Sequence, residues 1–169
     1  MQVAQHIEAV PDPRLPQFAV SVQPEWIDGN NHMNAAYYLS IVKDPALHVH
    51  DLWDYGTAFR QRTGESNFVI GAEIIYLREL LAGSRIVVTA RIVEMDNKRL
   101  RLLFEIFNSD EKYVAAFVQY LVLHVRLGTP PKAANIPEDL KERLARELAR
   151  HNEVPMPLGT EKLKSLSSL

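Results

Sequence analysis

The chain has 169 residues, 47% of them hydrophobic, with 19 basic and 21 acidic side chains and a formal net charge of -2. That length supplies one sizeable core and argues against two domains, and the charge balance excludes the whole-chain basic field that holds nucleic acid or an anionic membrane surface. Cysteine is absent, which excludes disulfides, thiol nucleophiles and cysteine-ligated metal centres.

Met1 to Glu8 carry neither the basic flank nor the apolar stretch of a secretory signal, and no window has the apolar length of a membrane span. The expectation is a soluble, cytoplasmic protein. Pro11, Pro13 and Pro16 then favour extended or turn backbone, so residues 1–15 read as a lead-in strap. Phe18 to Gln23 alternate apolar and polar side chains, the period of a half-buried strand, until Pro24 interrupts it.

Asp28-Gly29-Asn30-Asn31-His32-Met33-Asn34 follows, placing a carboxylate, an imidazole and three carboxamides just ahead of a helical pattern. Asp and Asn favour turns and helix N-caps, and the first N–H groups of the helix form a position for an anion or a carbonyl oxygen. From Asn34 an apolar stripe through Ala35, Tyr38, Leu39, Ile41, Val42, Leu47, Val49, Leu52 and Trp53 predicts a helix of several turns. Asp44-Pro45 predicts a kink or restart within it, and Tyr55-Gly56 a C-terminal stop.

Beyond a polar stretch, Arg60 to Asn67, the apolar runs 68–77, 86–95, 100–107 and 113–125 read as strands. Turn-forming separators at 82–84, 96–98 and 108–111 predict a meandering antiparallel sheet, one face covering the helix and the other free to meet another subunit. After Gly128-Thr129-Pro130-Pro131, Pro137-Glu138-Asp139-Leu140 opens a charged surface helix with Leu140, Leu144 and Leu148 four residues apart. From Asn152 onward the tail has little periodicity and needs docking to become ordered. The expected organisation is one domain over residues 1–169, with its core at 16–127 and a C-terminal helix and tail at 128–169.

Strand, long helix, then several antiparallel strands is an α+β order in which one sheet wraps one helix. With Asp28, His32, Asn34, Tyr38 and Leu39 in this context, residues 16–127 resemble the hotdog-fold acyl-CoA thioesterases of the 4-hydroxybenzoyl-CoA thioesterase type. Their motif runs approximately D-x-x-x-H-x-N-x-x-x-Y-L. The resemblance implies about five antiparallel strands around a long central helix, a homodimer or homotetramer with sites between subunits, and hydrolysis of a small acyl-CoA thioester. Coenzyme A would enter as part of the substrate, with no separate cofactor. Two departures stand out: Asn31 replaces the family's usual Gly before the His, and Pro45 replaces a helix former.

The resemblance makes Asp28 the catalytic carboxylate, as nucleophile or as base, and backbone N–H groups near Asn34 and Ala35 the oxyanion site. A thioester does need both: a nucleophile at carbon and donors already oriented at the developing oxyanion. A structural role for Asp28, an Asx-type turn, stands beside this. His32 has the chemistry to orient Asp28 or exchange protons near neutrality, and Asn34 to cap the helix. Asp44 is a candidate second carboxylate, with N-capping before Pro45 as the simpler reading.

Trp26, Tyr37, Tyr38, Trp53 and Tyr55 cluster around the motif and helix as core, interface or acyl-binding aromatics. Betainyl-CoA thioesterases are a hotdog subgroup the chain resembles, since aromatic faces attract quaternary ammonium groups; the motif itself leaves the acyl group open. Arg85, Arg91, Lys98, Arg99 and Arg101 are candidate partners for coenzyme A phosphates. His48, His50, Asp51 and Asp54 lack a third ligand at metal spacing, so no metal is expected. A hotdog hydratase or dehydratase using His32 with Asp28, and a non-catalytic acyl-binding module, are the alternative readings.

Overall fold

The computed structural model describes residues 10–166. Strand β1 (Gln17–Ser21) is followed by a short 3-10 turn (Pro24–Trp26), helix α1 (Ala36–Leu52) and helix α2 (Thr57–Thr63). Four long strands come next: β2 (Glu65–Tyr76), β3 (Arg85–Met95), β4 (Arg99–Asn108) and β5 (Tyr113–Arg126). A two-residue β6 (Lys132–Ala133), helix α3 (Glu138–Asn152) and a 3-10 turn (Thr160–Lys162) complete the described chain.

The sheet runs β1-β3-β4-β5-β2, antiparallel at every pairing, with β6 added to β5. The expected α+β arrangement, a sheet covering one long helix, is therefore present. The expected simple meander is not: β3, β4 and β5 follow one another, but β2 crosses to the far side and pairs with β5, so β2 and β1 are the edges. The turn residues at 82–84 thus join strands lying at opposite sides of the sheet.

Strand alternation makes two faces. Ile86, Val88, Ala90 and Ile92 of β3 and Leu100, Leu102, Phe104 and Ile106 of β4 turn inward, where they form one core with Ile41, Val42 and Val49 of α1. Each is at most 5% exposed, and full burial of such a side chain contributes about 1.5–3 kcal/mol. The intervening residues Arg91, Glu105, Arg101 and Gln119 lie on the outer face, yet they too are buried.

Residues 153–166 account for that burial. Arg91 Nη1 donates to the carbonyls of Val154 and Pro155, both at 3.1 Å. Arg101 Nη2 donates to Ser165 O at 3.1 Å and Gln119 Nε2 to Lys164 O at 3.0 Å. In return Glu73 accepts the Lys164 N–H at 3.2 Å, and Glu94 the Leu166 N–H. The tail crosses the outer face, which the sequence suggested was free for another subunit.

Three local expectations are corrected. Helix α1 runs unbroken through Pro45, which is buried between Ile41, Val42, Ala46 and Val49; packing of that apolar face offsets the missing backbone donor. Gly56 is not a C-terminal stop but precedes α2, while α1 ends at Leu52 with Trp53 as its C-cap, and Asp54 takes the positive φ of 51°. The polar stretch from Arg60 begins inside α2, which starts at Thr57 and has Phe59 as its one buried residue. The strap expected at 1–15 falls partly outside the described residues; within them, Asp12 to Leu15 close a turn.

Candidate active site

The site is built where β1 hands the chain to α1. Ile27 and Met33 form an antiparallel bridge, and between them residues 28–32 make a tight loop: Asp28 N donates to His32 O at 2.9 Å and Asn31 N to Asp28 O at 3.0 Å. Asn31 sits at φ 63°, in the left-handed region. Asn is among the few residues with a side chain that tolerate this region. It therefore takes a turn conformation that glycine would also accept.

Two further bonds fix the loop to the body. Met33 N donates to Leu80 O at 2.7 Å and Asn34 N to Trp26 O at 2.8 Å. The Asn34 side chain then caps the helix, its Oδ1 accepting the Ala36 N–H at 2.9 Å. Both donors flanking Ala35 are thus occupied. Among the described residues the Ala35 N–H meets no such acceptor, and it lies at the positive end of the α1 dipole.

Asp28 Oδ1 accepts the Asn30 N–H at 2.8 Å, so the Asx turn considered for it is formed. The same side chain opens onto a pocket of about 350 Å³. Asp28, His32, Met33 and Ala35 form one wall, with Tyr38 of α1 behind them. The opposite wall is the end of β2 and the residues after it: Tyr76, Leu77, Arg78 and Glu79. Tyr76 Oη donates across the pocket to Ala35 O at 3.2 Å. Tyr38 and Tyr76 meet edge to face, with centroids 5.0 Å apart and planes at 88°. Burial, reinforced by Tyr113, Tyr76 and Glu79, pushes the Tyr38 hydroxyl up to about 12, so Tyr38 stays neutral and offers apolar surface with a fixed hydroxyl.

Of the residues expected at the site, the structure brings together Asp28, His32, Ala35 and Tyr38. Asn34 acts as the cap and does not line the pocket. Trp26 and Tyr37 stack on each other with centroids 5.5 Å apart, outside the pocket lining. Asp44 is on an exposed part of α1, 3.4 Å from Lys43, and is neither an N-cap nor a pocket residue.

The arginines expected to meet coenzyme A are placed elsewhere. Arg91 is 3% exposed and paired with Glu105 beneath the tail. Arg101, also 3% exposed, faces Glu73 at 3.7 Å and Glu94 at 3.9 Å. Those two are corrected to internal charges, because a guanidinium sealed under the chain's own tail cannot meet an external phosphate. Arg85 pairs with Asp110 at 2.6 Å and Arg99 with Asp96 at 2.7 Å, while Lys98 is exposed; none lines the pocket.

The helix residues considered for metal also separate. His50 is buried with Nδ1 against Ala46 O at 2.7 Å, whereas Asp54 lies past the end of α1 and pairs with Arg62 at 2.9 Å. Sequence reasoning missed Tyr76, Leu77, Arg78 and Glu79 as site residues. They read only as the end of an apolar strand, and no local signal places that end opposite Asp28.

The comparisons agree with this architecture. Residues 22–144 match a family model described as the thioesterase-like superfamily. A betainyl-CoA thioesterase of Pseudomonas aeruginosa is 27% identical over 90% of this chain and 95% of its own length. An L-carnitine dehydrogenase/betainyl-CoA thioesterase of Agrobacterium fabrum is 36% identical over 59% of this chain, which corresponds to 20% of that longer protein. Among solved structures, a Staphylococcus aureus protein in complex with CoA superposes with a TM-score of 0.78 at 23% identity, covering 90% of this chain and 95% of the other.

Proposed function

The chain belongs to the thioesterase-like superfamily, and on that premise we propose that it hydrolyses a small acyl-CoA thioester at the pocket beside Asp28. The observation that carries this reading is the pairing of one carboxylate with one backbone donor across a single pocket. Asp28 and the N-terminus of α1 at Ala35 face the same cavity, and the neighbouring donors are tied to Trp26 and Asn34.

With the thioester carbonyl oxygen at the Ala35 N–H, the developing oxyanion receives a hydrogen bond and the field of the helix terminus. Acting as base, Asp28 takes a proton from water as the water oxygen adds to the carbonyl carbon. Collapse then breaks the carbon–sulfur bond, and the proton on Asp28 passes to the departing thiolate. Acting as nucleophile, Asp28 forms an acyl anhydride with the same loss of thiolate, and water then cleaves it. After a single turnover in ¹⁸O-labelled water, label in the Asp28 carboxylate identifies the nucleophilic route with water adding at the Asp28 carbonyl of the anhydride. His32 shares the pocket and supports Asp28 in either case.

The relative's name brings betainyl-CoA to this chain as the first substrate to try, and an aromatic-lined pocket suits a quaternary ammonium. We further propose a homodimer joined through β2. That strand is a sheet edge, leaves Phe68, Val69 and Ile70 40–52% exposed, and ends at the pocket. A second copy there would add a wall to the site. The outer face, already covered by residues 153–166, supports the dimer over the tetramer.

The test is thiol release from a panel of acyl-CoA thioesters. Wild type is expected to release thiol, and Asp28→Asn to lose about 100-fold or more, since such a change removes the reacting group. Undiminished release in Asp28→Asn removes Asp28 from the mechanism.

A further inference from the structure

We infer that Glu79 is a specificity residue that favours acyl groups carrying a positive charge; this rests on the thioesterase reading above and assigns part of the same pocket. Glu79 lines the same pocket as Asp28, one residue before the buried Leu80 that holds Met33, and is exposed. The position is fixed by backbone, because the Glu79 carbonyl accepts the Tyr113 hydroxyl at 2.6 Å. The main chain at Glu79 is therefore held at the pocket wall, which keeps its carboxylate within side-chain reach of the cavity.

The basic neighbour does not cancel it. Arg78 shares the pocket wall, but its guanidinium lies 3.7 Å over the Tyr113 ring centroid and 3.6 Å from Glu111. Arg78 is thus already balanced by one carboxylate and one aromatic face, leaving Glu79 and Asp28 to set the sign of the field in the cavity. Tyr38 and Tyr76 line the same pocket, two rings meeting edge to face, with Tyr76 anchored to Ala35 O. A carboxylate beside aromatic surface is the combination that attracts a poorly hydrated cation such as an alkylated ammonium, and it repels an acyl group ending in a carboxylate. Because Glu79 is exposed, its effect is that of a rim charge, and it is read as a preference between substrates.

The test compares betainyl-CoA with 3,3-dimethylbutanoyl-CoA, the neutral analogue in which carbon replaces the quaternary nitrogen. The ammonium group also activates the thioester chemically, so the diagnostic quantity is the change in the ratio of the two kcat/KM values on substitution. Glu79→Gln is expected to lower the ratio of betainyl to neutral substrate about three- to fivefold at low ionic strength, an effect reduced by salt. Glu79→Lys should lower it further, and Glu79→Asp, which keeps the charge, should restore most of it. A ratio unchanged in Glu79→Gln and Glu79→Lys, while wild type hydrolyses both thioesters, overturns the specificity role alone. Absence of thiol release from both by wild type overturns the thioesterase reading and this inference with it.

Discussion

The seven residues from Asp28 to Asn34 divide into parts that hold and a part proposed to react. Asn31 and Asn34 hold: one takes the left-handed turn, the other caps α1 through Oδ1. Asp28 does both, since Oδ1 fixes the Asx turn while the side chain lines the pocket. That division is partly legible in the sequence, where carboxamides before a helical stripe already point to caps and turns. The donor proposed for the oxyanion is not, because it depends on Trp26 O claiming the Asn34 N–H, a contact across the loop. Ala35→Pro tests the assignment by removing that one donor. Ala35 has φ -51°, close to the proline value, and the start of a helix accepts proline without losing a helix bond. The variant is expected to fold with an unaltered melting temperature and to lose about 100- to 1000-fold in kcat. Wild-type kcat in Ala35→Pro would put the oxyanion elsewhere.

At the scale of elements, strand number and rough bounds come from local signals: β-branched and aromatic runs separated by Gly, Asn, Asp and Ser. Sheet order does not, since β2 pairing with β5 is decided by core packing rather than by adjacent turns. Helix α2 is not legible because seven residues carry too little periodicity, with Phe59 as its one buried anchor. Helix α3 is legible from its leucines but is less of a surface helix than its charge suggests. Leu140 and Leu144 are fully buried, and α3 packs beside β3. There His151 Nδ1 accepts the Ile92 N–H at 3.0 Å, closing a backbone donor that β1 does not reach. Only the unprotonated ring atom can do this. Burial, then Arg91 and Arg150, hold the His151 imidazole down to about 4 from its ordinary 6.5. The unfolded chain therefore binds the proton first on acidification, and stability attributable to His151 declines as the pH falls from 6.5 toward 4. Melting temperature followed over that interval should drop more steeply in wild type than in His151→Gln, which retains an acceptor without the charge. Parallel curves would assign the acid sensitivity to other groups, with the buried His50 and His124, both also lowered by burial, the first to examine.

For the whole molecule, the tail covers one face of the sheet and so bears on the dimer proposed through β2. Residues 153–166 satisfy Arg91, Arg101 and Gln119 on the outer face, while β2 remains an apolar edge beside the pocket. Truncation after Asn152 removes carbonyl acceptors from two buried guanidinium groups, each such bond being worth about 1.5–3 kcal/mol. The truncated protein is expected to melt several degrees lower, about 2–8 °C per kcal/mol depending on domain size, and to sediment as species larger than the dimer proposed for the full-length chain. A truncated protein indistinguishable from full length in both measurements would assign the tail no part in stability or assembly. The reach of the site beyond one chain matters less, however, than whether its chemistry is assigned to the right atoms. The most direct measurement is steady-state thiol release from betainyl-CoA by wild type and Asp28→Asn, matched for melting temperature. Turnover by wild type and a loss of about 100-fold or more in kcat/KM for the variant is the expected result; equal rates from the two proteins would contradict the assignment of Asp28.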